Sequence, residues 1–191
     1  PDVDALAFTE LEEVDRYALA RYGEAAQRVR RAYEAYDFST VFQVLNTLVT
    51  TDLSAFYVDV TKDRMYTFNP RSSARRSTQT AMYVMCDGLA RLLAPILPVT
   101  ADDLWRHLPG RRAASVHLAD FPDPDGHVDR NLLTTWDRGM GVRQEVTAAL
   151  ELKRKDKVIC NSLGARVVIS ASGPIAAPRM PDKRLARRSA F

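Results

Sequence analysis

Between Lys62 and Arg76 the chain places Lys62, Arg64, Arg71, Arg75 and Arg76 against a single acid, Asp63, with Tyr66 and Phe68 interleaved. Cationic side chains neutralise phosphates, and aromatic rings stack on unpaired bases, so this mixture suits single-stranded or loop RNA. The candidate RNA-binding residues are Lys62, Arg64, Arg75 and Arg76 for phosphates and Tyr66 for stacking. The same run also fits a solvated connector between two helices, with its charges simply facing water. Within the fold, Arg64 has Asp59 and Asp63 as competing partners. A second set of cations, Arg16, Arg21, Arg28, Arg30 and Arg31, reads as the exposed side of an amphipathic helix. The rings of Tyr33, Tyr36, Phe42 and Phe56 fall on apolar stripes and read as core.

Bond-making chemistry has little support. His107, His117 and His127 recur at ten-residue intervals, which is not metal-ligand spacing, and no cysteine clusters with them. They read as loop or surface residues. Asp102 and Asp103 are adjacent, so they diverge on a helix, and capping with a favourable macrodipole contact accounts for them. The chain contains no GxGxxG, GxxxxGK[ST] or GxSxG pattern, so no nucleotide cradle or nucleophile elbow is visible. No catalytic and no metal-binding residue is expected.

The elements that must position the basic-aromatic run sit in a chain of ordinary globular composition. Of its 191 residues 46% are hydrophobic and 27% charged, enough to bury a sizeable core. No apolar run approaches the roughly 20 residues that span a bilayer, and PDVDALAFTELEE does not resemble a signal peptide. Cys86 and Cys160, far apart and outside any CxxC, predict reduced intracellular thiols and no zinc site. The net charge of +3 is misleading. Residues 1 to 173 carry 22 basic and 23 acidic side chains, and the excess belongs to the tail from Pro174. An argument for nucleic acid must therefore rest on local clusters rather than bulk charge.

Periodicity predicts a helix over Glu10–Tyr36, with Leu11, Val14, Ala18, Tyr22, Ala25, Val29, Ala32 and Tyr36 on one stripe. Ser39 is the expected N-cap of a second helix, whose stripe is Phe42, Leu45, Val49, Leu53, Phe56 and Val60. A third helix starts near Ser72 or Ser73 and ends around Pro95 and Pro98. Thr100-Ala-Asp-Asp resembles a capping box opening a short helix with Leu104, Trp105 and Leu108. Pro109 to Gly126 reads as loop, with Ser115-Val116-His117-Leu118 extended. A further helix is expected from Asn131 to about Asp156, although Gly139 and Gly141 each cost it about 1 kcal/mol relative to alanine. Arg166 to Ser170 is β-branched and reads as a strand.

These pieces resemble something specific. AYDFSTVFQVLNTL, FYVDVTKDRMYT, SARRSTQTAMYV and LLAPILPVTADDLWRHLPG, followed by SVHLADFP and KVICNSLGARVVIS, are similar in order and spacing to the anticodon-binding region of bacterial isoleucyl-tRNA synthetases. The resemblance covers roughly residues 10 to 170. APILPVTADDLW is shared in style with the valyl and leucyl enzymes, whereas FYVDVTKDRMYT and KVICNSLGARV favour the isoleucyl one. The resemblance departs at Gly139, Cys160 and Gly164, where the family usually has leucine, glycine and glutamate.

The resemblance implies a mainly α fold with an anticodon-binding helical bundle, here over 1–110; the residues themselves predict a linker over 111–130, a small α+β appendage over 131–172 and, by composition, a disordered basic tail over 173–191. The first helix of the family's bundle is expected to be missing, leaving an apolar groove exposed. It further implies a C-terminal fragment of a cytoplasmic, monomeric ligase that joins isoleucine to its tRNA. Its partners would be isoleucine tRNA and the catalytic domain of the same enzyme, with no membrane. ATP with magnesium, and zinc, would serve the full-length enzyme; no cofactor is expected here, because the HIGH and KMSKS motifs, the editing domain and the cysteine-rich zinc module do not occur. Two other readings stay open: a fragment of the related valyl enzyme, and a free-standing helical protein acting through protein contacts.

Overall fold

A computed structural model describes residues 4–123, 125–160 and 164–169. The chain divides into two compact units, residues 1–130 and 131–191. In the first unit, α1 (Glu13–Glu34) is the central element. Its Val14, Tyr17, Ala18, Leu19, Tyr22, Ala25, Ala26, Val29 and Ala32 are all buried. Many of these are small, and small side chains let neighbouring helices approach on several sides. α1 packs against α2 (Phe38–Thr47), against the segment that follows α2, and against α4 (Ser73–Leu93). Each fully buried large side chain here contributes about 1.5–3 kcal/mol through removal from water.

α1 ends where Tyr36 takes a left-handed φ of 57°. The Asp37 N–H then reaches back to the Ala32 carbonyl at 2.8 Å and the Tyr36 N–H to that of Tyr33 at 3.0 Å. This double closure satisfies the last carbonyls of the helix, usually with glycine at the left-handed position. Tyr36 cannot continue the predicted stripe after that turn and lies 81% exposed. Phe42 is also exposed, while Phe56 is buried and Tyr33 half-buried. The cap of α2 is Asp37 rather than Ser39. Its carboxylate accepts from the Thr40 N–H at 3.0 Å and the Thr40 hydroxyl at 2.6 Å.

α2 runs without a break through a π-helical segment (Leu48–Val58) into α3 (Asp59–Thr67). In π winding each N–H reaches the carbonyl five residues back, so extra residues are taken up per turn. Four α-turns on from Leu48 fall at roughly residue 62, yet the inward residues of α3 are Thr61 and Arg64. Phe56 and the adjacent Tyr57 are both in the core, while Val49 and Val60 of the expected stripe lie near the surface.

α4 starts as predicted, with the Ser72 hydroxyl accepting from the Arg75 N–H. α5 (Pro98–His107) opens on Pro98 in the first turn, with no side-chain cap. Proline is pre-organised for that position, so Thr100 lies inside the helix and the expected capping box is absent. Asp102 instead accepts from the Ser115 hydroxyl at 2.7 Å and the Val116 N–H at 3.0 Å. These bonds hold Asp102 below the usual carboxylate range, the Ser115 bond being the largest cause. They also fold Val116–Leu118 into a 3-10 turn rather than the expected extended stretch. Val116 and Trp105 pack with Ala90, Ala94 and Ala101 as a small core beneath α5.

The second unit is built on α6 (Arg130–Lys155), in which Leu133 is buried and Trp136, Met140, Val146 and Leu150 are half-buried. Its stripe matches the predicted one, and the helix continues through both Gly139 and Gly141. Val167, Val168 and Ile169 are exposed, and no strand forms among the described residues. A β-branched run needs a partner strand for its backbone bonds, and none of the described residues supplies one. The predicted basic tail over 173–191 lies outside the described residues.

Candidate nucleic-acid interface

The basic-aromatic run folds as the end of α3, a turn over 68–72 and the start of α4. Lys62 and Tyr66 are one helical turn apart, so they share a face of α3. Both are exposed, Tyr66 to 85%. The Lys62 ammonium lies 2.8 Å from Asp59 Oδ1. The hydrogen bond to Asp59, then its charge, raises the Lys62 pKa, so the group is cationic. An exposed pair of this kind holds its partners weakly, which leaves the ammonium available to another anion.

Arg71 is exposed in the turn, where its N–H donates to Asn69 Oδ1 at 2.8 Å. Arg75 is half-buried and donates from Nη1 to the Phe68 carbonyl at 2.9 Å, which fixes the turn against α4. Arg76 pairs with Asp4 of the N-terminal segment. Arg75 and Arg76 lie in the first turn of α4, where free N–H groups and the helix dipole already favour an anion. Lys62, Tyr66, Arg71 and Arg75 thus border one connection, with Arg76 tied to the segment that crosses α4.

Arg64 faces the other way. It is 6% exposed, with Nη1 3.4 Å from Oδ2 of a fully buried carboxylate, Asp15. Asp15 also accepts from the Tyr57 hydroxyl at 2.6 Å, the Ser77 hydroxyl at 2.5 Å and the Thr78 hydroxyl at 3.2 Å. A buried charge is tolerable only when paired and hydrogen-bonded, and here three hydroxyls and a guanidinium do both. Burial, followed by the nearby Asp15 charge, pushes the Tyr57 phenol far above its ordinary range, so it stays a donor. The node joins α1, the π-helical segment, α3 and α4. It sets the face of α3 that carries Lys62 and Tyr66, and Arg64 belongs to this scaffold rather than to the exposed cations.

Sequence reasoning passed over Asp15 because it sits one residue from the apolar stripe among several acids. Only the four partners, 42 to 63 residues away in sequence, distinguish it. It also passed over Arg112, whose guanidinium lies 4.6 Å from the Trp105 ring centroid and pairs with Asp87. His127 is half-buried against Phe8 rather than on the surface. Among the described residues no group of three or more His, Cys, Asp or Glu side chains is placed to hold a metal ion. No helix among them is long and apolar enough to cross a membrane.

The chain is similar to several known proteins. The chain is 44% identical over 172 residues to the isoleucine–tRNA ligase of Syntrophotalea carbinolica, covering 90% of this chain and 19% of that protein. It is 45% identical over 174 residues to the isoleucine–tRNA ligase of Geobacillus kaustophilus, covering 88% of this chain and 19% of that one. The Desulforudis audaxviator isoleucine–tRNA ligase gives 44% over 174 residues. The chain therefore spans about a fifth of the length of the curated relatives it matches. A family model described as the anticodon-binding domain of tRNA ligase matches residues 15–169, from the buried carboxylate on α1 to the exposed β-branched run, and the chain belongs to that family.

Proposed function

We propose that the chain holds the anticodon stem-loop of an isoleucine tRNA as one part of an isoleucine–tRNA ligase. The observation that carries this reading is the family match over residues 15–169, together with relatives that are isoleucine–tRNA ligases. The chain's work is positioning rather than bond making. Lys62 and Arg71 present exposed cations to backbone phosphates, Arg75 and Arg76 line the start of α4, and Tyr66 offers an open ring face to an unpaired base. Phosphate contacts fix register and supply affinity, while base contacts discriminate. Ligation of isoleucine with ATP and magnesium, and any zinc, belongs in this reading to the rest of a longer cytoplasmic enzyme.

The test is a filter-binding titration of the chain with isoleucine tRNA and an unrelated tRNA at several salt concentrations. Tyr66→Ala is expected to weaken binding by about 5- to 150-fold, the range of a lost stacking contact of about 1–3 kcal/mol. Lys62→Ala is expected to lower the slope of log affinity against log salt by about 0.7–0.9, one phosphate contact. Equal affinity for both tRNAs, unchanged by either substitution, would refute the reading.

A further inference from the structure

Residues 4–12, which precede α1, lie across the first turns of α4. They carry Asp4, Glu10 and Glu12 and no basic side chain. Asp4 pairs with Arg76. Two residues on, the Leu6 N–H donates to the Thr80 hydroxyl at 3.2 Å. Phe8 then reaches His127, with ring centroids 6.0 Å apart. A 3-10 turn over Phe8–Glu10 reverses the chain, and the Glu12 N–H donates to the Ser77 hydroxyl at 2.7 Å. Arg76 and Thr80 are one helical turn apart, so the segment follows one face of α4 outward and comes back near its start.

The two ends of this segment are held unequally. Leu11 is 5% exposed, and the Glu12 bond ends on a hydroxyl that itself donates to the buried Asp15. That end belongs to the core. Ahead of it, Leu6 and Phe8 are half-buried, and Asp4, Ala5, Ala7, Thr9 and Glu10 are exposed. The Glu10 carboxylate stays within the segment, accepting from the Ala7 N–H at 3.1 Å. The Asp4 side chain is 64% exposed, and an ion pair so open to water holds its partners weakly. Residues 4–10 bury little apolar surface, so they can lift from α4 without unfolding the bundle.

Arg76 stands where the dipole of α4 already favours an anion, and Asp4 occupies that place. A phosphate arriving at Arg76 meets the Asp4 carboxylate as a like charge at close range, so the two anions compete for one guanidinium. We propose that residues 4–10 form an acidic latch on α4, which a backbone phosphate of the bound RNA displaces from Arg76. The latch pivots at Leu11 and Glu12, leaving the Asp15 node intact. It favours a polyanion already anchored at Lys62 and Arg71 over a lone anion, because exchanging one anion for another at a single guanidinium gains little. This rests on the RNA-binding reading above and adds to it a control on one of its cations.

The test titrates isoleucine tRNA with the 191-residue chain as wild type, Asp4→Asn, Arg76→Ala and the double variant, each checked for folding by thermal melting. Asp4→Asn keeps the size of the side chain and removes its charge. It is expected to tighten binding by about two- to fivefold at low salt, the scale of an exposed ion pair. The gain is expected to fade as added salt screens that pair. With Arg76→Ala already present, Asp4→Asn is expected to leave affinity unchanged. Hydrogen exchange read by mass spectrometry is expected to quicken in peptide 4–10 when the wild type binds tRNA, as the Leu6 N–H leaves Thr80. An equal gain from Asp4→Asn in both backgrounds would make Asp4 a general charge effect, and no gain in either would leave nothing to displace. Unchanged or slower exchange would mean that the segment stays down. Any of these overturns the latch while the RNA reading stands. If the wild type does not bind the tRNA at all, both fall.

Discussion

At the level of single residues, one tight steric constraint in the first unit is met by a hydrogen. Gly88 is the one place on α4 where the Tyr22 ring can lie against the helix backbone, because a methyl group there would sit 1.6 Å from the hydroxyl and 2.5 Å from Cζ. Tyr22 is 1% exposed, so its ring must shift within its surroundings to make room. Gly88→Ala is therefore expected to destabilise the chain by about 1–3 kcal/mol, despite alanine's better helix propensity, as overpacked cores do. A urea titration reads this directly; a midpoint at or above that of the wild type would show that Tyr22 has room to move. Glycine within the predicted third helix gave no such signal in the sequence, because nothing local reveals which ring crosses it. Arg64 was opaque for a similar reason. Its type and neighbours suited a phosphate, and only the position of Asp15, 49 residues earlier, decides otherwise.

Among elements, the Asp15 node is the common fastening. It takes one carboxylate from α1 and bonds it to Tyr57 of the π-helical segment, Arg64 of α3, and Ser77 and Thr78 of α4. Asp15→Ala leaves Arg64 buried without its counter-charge and three hydroxyls without their acceptor. The expected loss is about 3–5 kcal/mol, the penalty for breaking one side of a buried pair, measured as a fall in urea midpoint. A loss below about 1 kcal/mol would mean that water enters and solvates the node. Helix positions were well marked in the sequence. The apolar spacing of α1, Ser72 before α4 and the proline at the end of α4 correspond closely to the observed Glu13–Glu34 and Ser73–Leu93. The second helix was marked less well: of its predicted stripe Leu45 and Phe56 are buried, whereas Phe42, Val49 and Val60 are exposed. Beyond Leu48 the winding changes, so a stripe counted at 3.6 residues per turn selects Val49 and Val60 in place of Tyr57 and Arg64. Winding of this sort depends on packing at both ends of the segment and leaves little trace in local composition.

For the molecule as a whole, the core is carried by the first unit. Apart from Leu133, every buried apolar side chain among the described residues lies between Leu11 and Pro122. A chain ending at Arg130 is accordingly expected to keep a single cooperative urea transition, followed by circular dichroism. A broad, uncooperative loss of helix would show that the first unit needs the rest. The near-neutral balance of residues 1 to 173 has a counterpart in the fold: Arg21, Arg64, Arg76, Arg91, Arg106 and Arg112 are each paired with an acid. With no net positive charge over residues 1 to 173, affinity for an anionic partner must come from local contacts such as Lys62 and Arg71. Composition made that balance legible, but which cations are committed depends on contacts between distant parts of the chain.

The π-helical segment makes the distance between Leu48 and Tyr57 a matter of counting. An α-helix of the same span would need fewer residues to bring its inward face round to Asp15, and this chain absorbs the surplus by widening its turns. One residue removed between Thr50 and Ser54 would relieve the widening and keep α3 in phase with the node, whereas one removed from α3 ahead of Arg64 would rotate the rest of that helix by about a quarter turn. That second deletion would carry Arg64 out of line with Asp15 and turn Tyr66 away from its present face. The number of residues ahead of Arg64 in α3, more than their identity, determines which side of that helix meets the solvent.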